Sequence, residues 1–155
     1  MDIGMDTGMD TDMDMKMLKI THKNIRPFGR IIDASYARFK PGDNGFGIVF
    51  KEKSAGWRIA YLVVRRRRIT RLENHPNTAE TFEPVRGRAV IALAAHGRPD
   101  DFRLFLLDKP VVLKRGVWHN VAALTGRCEI KICEAIKVRE VYHDLAEPII
   151  ANRRA

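Results

Sequence analysis

The chain has 155 residues, 45% of them hydrophobic, with 28 Lys and Arg against 19 Asp and Glu and a formal charge of +9. That length predicts one domain with a core of useful size. No apolar run approaches the ~20 residues of a bilayer crossing, and no charged start followed by an apolar stretch reads as a secretory leader. The expectation is a soluble cytoplasmic protein without a membrane partner.

The first seventeen residues, MDIGMDTGMDTDMDMKM, hold all six methionines, four of them spaced as Met1, Met5, Met9 and Met13. Five aspartates and one lysine give the stretch a charge of −4. Almost nothing bulky is available to bury, so residues 1–16 are expected to be a disordered Met/Asp-rich extension. Thioethers at this spacing are a weak metal signal, and an upstream start site accounts for them better. Residues 17–155 are expected to form a single domain. With −4 set aside, the +9 of the whole chain becomes +13 on that remainder.

From there the sequence reads as short β-rich runs. IRPFGRIID leads into the first strand. GFGIVFKEK, WRIAYLVVRRRRITRL, GRAVIALAAH, DFRLFLLDK, PVVLKRG, VWHNVAAL, CEIKICEA and KVREVYHDL follow, parted by turn signals such as PGDNG, NHPNT, GRPDD and TGR. CEIKICEA alternates like a half-buried strand, whereas AVIALAA is continuously apolar and predicts burial on both faces. Cys128 and Cys133 are an odd number of residues apart, so on one strand they face opposite ways and stay free thiols. No long amphipathic helix is present. The pattern predicts an all-β sandwich or closed barrel with little helix.

Arg65, Arg66, Arg67 and Arg68, with Arg58 and Arg71 close by, form the densest positive stretch. A solvated strand end is the ordinary explanation. Nucleic-acid binding would call for aromatic side chains among the arginines to stack bases, and only Tyr61 is there. A basic nucleic-acid-associated domain therefore ranks last among the functional readings.

Ligand-type side chains gather in ENHPNTAETFEPVRG, residues 73–87, and in GVWHN. Glu73 and His75, two apart, share a face of an extended backbone. Four residues separate His75 from Glu80, six separate Glu80 from Gly87, and two separate Gly116 from His119. These spacings resemble the two motifs of the cupin barrel, His-x-His, three or four residues, Glu, six residues, Gly, and then Gly-x-x-His. Glu73 stands at the first histidine, and Lys114 and Ala123 at the proline and asparagine of the second motif. The order of LKITHKNIRPFGRIID, LENHP, TFEP, a Pro-Asp step and GVWHN is similar to that of the ureidoglycolate lyases, over most of residues 17–135. At four positions the chain departs from that family's residues: Asn74 for an arginine, Glu80 for a glutamine, Leu113 for a tyrosine and Asn120 for a histidine.

The resemblance implies a cupin-type double-stranded β-helix, or jelly-roll barrel, over residues 17–155. It also implies an enzyme of purine and allantoin catabolism that releases urea and glyoxylate from ureidoglycolate, commonly as a homodimer. Two imidazoles with carboxylates suit Zn, Fe, Ni or Mn, so Glu73, His75, Glu80 and His119 are the expected metal ligands, and no organic cofactor is implied. A single histidine in a turn or beside Trp118 is ordinary; the spaced set outweighs that. In the lyase reading Glu73 and His119 are catalytic, Glu73 serving as a ligand or acid–base group. Arg71 and Lys114 are the candidates for the small anionic substrate, with Glu134 a weaker one. A divergent metal-binding cupin that acts on or senses another small hydroxy acid or sugar is the main alternative.

Overall fold

The computed structural model describes residues 15–38 and 40–152. Of the expected N-terminal extension, residues 1–14 lie outside the described part. Met15 and Met17 pack against a buried apolar cluster.

Strand β1 (Met17–Lys19) leads into α1 (His22–Ile25), a single helical turn. Thr21 caps it reciprocally with Asn24, each side-chain oxygen accepting the other's backbone N–H. β2 (Gly29–Ile31) and a 3-10 turn at Ala34–Tyr36 follow. The body comprises β3 (Trp57–Val64), β4 (Arg68–Asn74), β5 (Glu80–Arg86), β6 (Ala89–Ala94), β7 (Arg103–Leu106), β8 (Val111–Leu113), β9 (Trp118–Ala123) and β10 (Cys128–Ala135). β11 (Val141–Ile150) closes the chain.

Within the body β3 pairs with β10, β4 with β9, β5 with β8 and β6 with β7, all antiparallel. The eight strands are thus one long hairpin, its tip between β6 and β7, wound so that successive rungs fall into two facing sheets. That is the jelly roll, in its cupin form. One sheet runs β1-β7-β6-β9-β4-β11, the other β2-β8-β5-β10-β3. Ile91, Leu93, Phe105 and Val121 from the first meet Phe82, Leu113, Ile130 and Ile132 from the second in the main core. Val90, Ala92, Ala94 and Ala122 belong to a second cluster with Leu72 and Ile149. Hence β6 is buried at every position, as its continuous apolar run predicts.

The alternation of β10 buries Cys128, Ile130 and Ile132. Cys133 lies half-buried, and both cysteines are free thiols. Three strand assignments need correction. GFGIVFKEK contributes only an isolated bridge between Arg38 and Phe46. Phe46 and Ile48 alternate as a strand would but stay exposed, while Gly47 presses against the Tyr36 carbonyl and leaves no room there for a Cβ. WRIAYLVVRRRRITRL is two strands, because the chain changes sheets at Arg65–Arg67. The Arg66 and Arg67 carbonyls accept from the N–H groups of Ala123 and Ala151, so the crossover keeps its backbone satisfied. KVREVYHDL likewise begins pairing only at Val141.

A candidate metal centre between the sheets

The body strands carry the ligand-type residues to one end of the core. Glu73, on β4, lies opposite His119, on β9. Glu80 opens β5 opposite Glu134 on β10, which in turn lies opposite Arg58 on β3. Glycines join the two halves. Gly116 donates its N–H to the His75 carbonyl (3.1 Å), and its own carbonyl accepts from Asn74 Nδ2 at 2.7 Å. Its φ of +75° is a left-handed conformation, and a Cβ would lie 2.8 Å from His96 Nδ1. Gly87, at φ +73°, would bring a Cβ to 2.3 Å from the Arg127 carbonyl oxygen. Both glycines of the sequence motif are therefore required by backbone geometry.

His75, His119 and Glu80 are almost wholly buried. Glu73 keeps a side-chain exposure of 32%. His119 Nε2 lies 2.7 Å from Glu80 Oε1 and 3.5 Å from Glu73 Oε1, and His75 Nε2 lies 3.5 Å from the same Glu80 oxygen. The two imidazole centres are 5.1 Å apart, and Phe82 packs edge-on against His119. Each Nδ1 faces a backbone carbonyl, that of Arg139 at 3.2 Å for His75 and that of Val117 at 3.0 Å for His119. A carbonyl only accepts, so each Nδ1 carries the proton and each Nε2 turns to the carboxylates. That outer arrangement is the one that orients metal-ligating histidines.

His119 Nε2 is buried and, despite its nearness to Glu80, has no hydrogen bond of acceptable geometry among the described residues. Burial alone would lower the His119 pKa, but Glu80 and then Glu73 outweigh it and raise it to about 10. For Glu73, burial pushes upward, and the nearby His119, 3.5 Å away, with the charge of His75 brings the net value below the ordinary carboxylate range. Glu73, His75 and His119 each offer a ligand atom within 4.8 Å of the others, and so do His75, Glu80 and Glu134. An orphaned buried imidazole nitrogen among carboxylates, with nitrogen and oxygen donors mixed, fits a divalent cation of the Zn, Fe, Ni or Mn kind.

Glu134 is the site residue that the sequence reading under-weighted. Its side chain is only 7% exposed, and its Oε1 accepts from Arg58 Nη2 at 2.9 Å. The signal was present, since the alternation that points Ile130 and Ile132 inward continues to position 134.

Arg71 pairs with Asp144 at 3.1 Å and covers the Tyr142 ring at 5.2 Å. It lines a cleft of about 710 Å³ that also reaches Glu73 and His119. Lys114 stands apart: it is exposed, its ammonium donates to the Arg26 carbonyl, and it is not among the residues lining the cleft. Of the positions where the chain departs from the motif pattern, Leu113 is core, Asn74 holds the Gly116 turn, and Asn120 donates to the Arg71 carbonyl at 2.8 Å.

A family model described as ureidoglycolate lyase matches residues 48–152. No curated protein matches the chain in sequence. Among solved structures, a dTDP sugar isomerase from Desulfovibrio desulfuricans G20 is similar at 17% identity and a TM-score of 0.44, over 83% of this chain and 84% of that one. An oxalate decarboxylase from Bacillus subtilis is similar at 17% identity and a TM-score of 0.44, over 58% of this chain. The match spans 24% of that longer protein. A further structure of the same decarboxylase, described for its Mn(II) centres, is similar at 16% identity and a TM-score of 0.40, over 61% of this chain and 24% of that one.

Proposed function

The chain belongs to the ureidoglycolate lyase family, and from that membership we propose that it is a metal-dependent lyase releasing urea and glyoxylate from ureidoglycolate. The observation that carries this reading is the pair of buried histidines whose Nε2 atoms face a shared set of carboxylates, one of them orphaned at hydrogen-bond distance.

His75, His119 and Glu80 would hold a divalent ion, which when bound polarises a hydroxyl and a carboxylate as a Lewis acid, and Glu73 beside them serves as the acid–base group. Glu73 is the most open of the four and the one that lines the cleft beside His119. Its depressed pKa keeps it ionised at neutral pH. As a base it takes the hydroxyl proton of ureidoglycolate. The electrons of that O–H bond then form the aldehyde C=O, and the C–N electrons leave with nitrogen. The same carboxyl returns the proton to the departing urea. Arg71, on the same cleft wall, holds the substrate carboxylate, and Asp144 and Tyr142 fix its guanidinium.

The site residues named above all come from this chain, and the homodimer that the family resemblance implies is part of the proposal. The proposal extends to a place in purine and allantoin breakdown and to the cytoplasm. The test is glyoxylate release from ureidoglycolate by purified, metal-analysed protein. The expected result is stoichiometric metal and release that Glu73→Gln abolishes. Metal without release points instead to a related cupin acting on another hydroxy acid, which Asn74 and Asn120 in place of an arginine and a histidine favour.

A further inference from the structure

The arginine run at the sheet crossover is not used by the chemistry above. Arg65, Arg66 and Arg68 line the same cleft as Glu73 and His119. All three are exposed. Among the described residues none of them has a carboxylate within 4.0 Å, whereas Arg58, Arg71, Arg86 and Arg127 each do. Three guanidinium groups without a carboxylate partner line this one cleft, and an anion bound there would satisfy them through charge-assisted hydrogen bonds. Arg71 and Glu73, which the reading above places at the reacting end, line the same cleft. The cleft, at about 710 Å³, has the volume of sites that take drug-sized ligands, far more than an acid of the size of ureidoglycolate fills.

We propose that the cleft binds a hydroxy acid carrying a second anionic group, the hydroxy-acid end lying at Glu73, His119 and Arg71 and the second anion at Arg65, Arg66 and Arg68. The inference rests on the reading of Glu73 and His119 as the reacting end, and it widens the substrate class beyond ureidoglycolate, which has one carboxylate. The second anion is a carboxylate or a phosphate; both satisfy a fork of arginines.

Calorimetric titration of the metal-analysed full chain with glycerate, malate and phosphoglycerate tests this. Glycerate has the hydroxy-acid end alone, and the other two add a carboxylate or a phosphate. The expected result is at least about tenfold tighter binding of malate or phosphoglycerate than of glycerate, as charge-assisted pairs predict; whichever is tighter identifies the anion. The variant carrying Arg65→Ser, Arg66→Ser and Arg68→Ser should lose that excess and bind glycerate as before. Because the three side chains are exposed, its melting temperature should match that of the wild type, which keeps the comparison interpretable. Equal affinity for all three acids, or an excess that survives in the variant, overturns the proposal. So does tighter binding of a short oligoribonucleotide that the same variant abolishes, which would assign these arginines to nucleic acid. A protein that splits ureidoglycolate yet binds the three acids alike keeps the proposed function and loses this inference. One that prefers malate or phosphoglycerate but releases no glyoxylate does the reverse.

Discussion

His119 Nε2 stands 2.7 Å from Glu80 Oε1 while His119 Nδ1 is committed to the Val117 carbonyl at 3.0 Å. Burial opposes the charge, but Glu80 and Glu73 hold the His119 pKa up at about 10, so without a cation the imidazole carries both protons at neutral pH. Metal binding then displaces a proton from Nε2, and apparent affinity falls as pH is lowered. The first prediction is that Zn or Mn affinity, measured by competition with a chromogenic chelator, weakens steadily from pH 8 to pH 6, by up to about tenfold per unit for one displaced proton. Affinity independent of pH over that range would show that no proton leaves the site.

A second prediction concerns the metal-free protein. The folded His119 pKa, about 10, lies above its ordinary 6.5, so its contribution to stability is complete below 6.5 and is lost as pH rises toward 10. Glu73 is shifted the other way: its contribution is present above 4.5 and fades as pH falls below that. In chelator, the melting temperature of the wild type minus that of His119→Gln should be largest between about pH 4.5 and 6.5 and shrink toward pH 10. A difference that grows with pH would contradict the ion-pair account.

The ligands themselves give a third prediction. Changing His75 and His119 together to alanine removes both imidazole donors, and metal content by mass spectrometry should fall from stoichiometric to background. Stability should not fall in proportion. Deleting His119 leaves Glu80 buried without its cation, whereas the matched change Glu80→Gln with His119→Gln removes both charges. The matched pair should be the more stable protein, by roughly 1–3 kcal/mol in urea unfolding.

Much of this site was legible because motif spacing and strand alternation carry three-dimensional content. Glu73 and His75 share a face for the reason that any residues two apart on a strand do, and the glycines at 87 and 116 mark left-handed backbone. What local pattern could not carry was the crossover. Read as one strand, WRIAYLVVRRRRITRL assigns Arg65 and Arg67 to the face of Arg71. The break separates them: Arg65 lines the cleft, while Arg67 donates to the Leu124 carbonyl. The unpaired GFGIVFKEK has the same origin. Its alternation is a property of the segment, but pairing depends on which strand edge the chain leaves free.

The turn that ties the two motif halves yields the fourth prediction. Gly116→Ala puts a Cβ 2.8 Å from His96 Nδ1 at φ +75°. The backbone strain alone should destabilise by about 1–3 kcal/mol. Because Gly116 also bonds both His75 and Asn74, relaxation of the turn should move His75 against His119. Weaker metal binding is therefore expected even in the folded fraction, which chelator competition on protein held well below its melting temperature would detect. Gly126→Ala, where a Cβ meets nothing within 4 Å and no left-handed φ is required, is the control and should leave metal affinity unchanged.

Arg58 separates a structural from a chemical role for the far carboxylate. Its guanidinium holds Glu134 at 2.9 Å, and Glu134 lies across the strand pair from Glu80. Arg58→Met keeps much of the apolar stem and removes the charge, which leaves two neighbouring carboxylates without that cation. With the Arg58 side chain 48% exposed, solvent screens part of the loss, and the expected destabilisation is about 1 kcal/mol. Bound metal should offset it, since a divalent ion among these carboxylates supplies the missing positive charge. The variant should therefore gain more in melting temperature on metal addition than the wild type does. Equal gains in both proteins would place Glu134 outside the field of the metal and restrict the centre to Glu73, His75, Glu80 and His119.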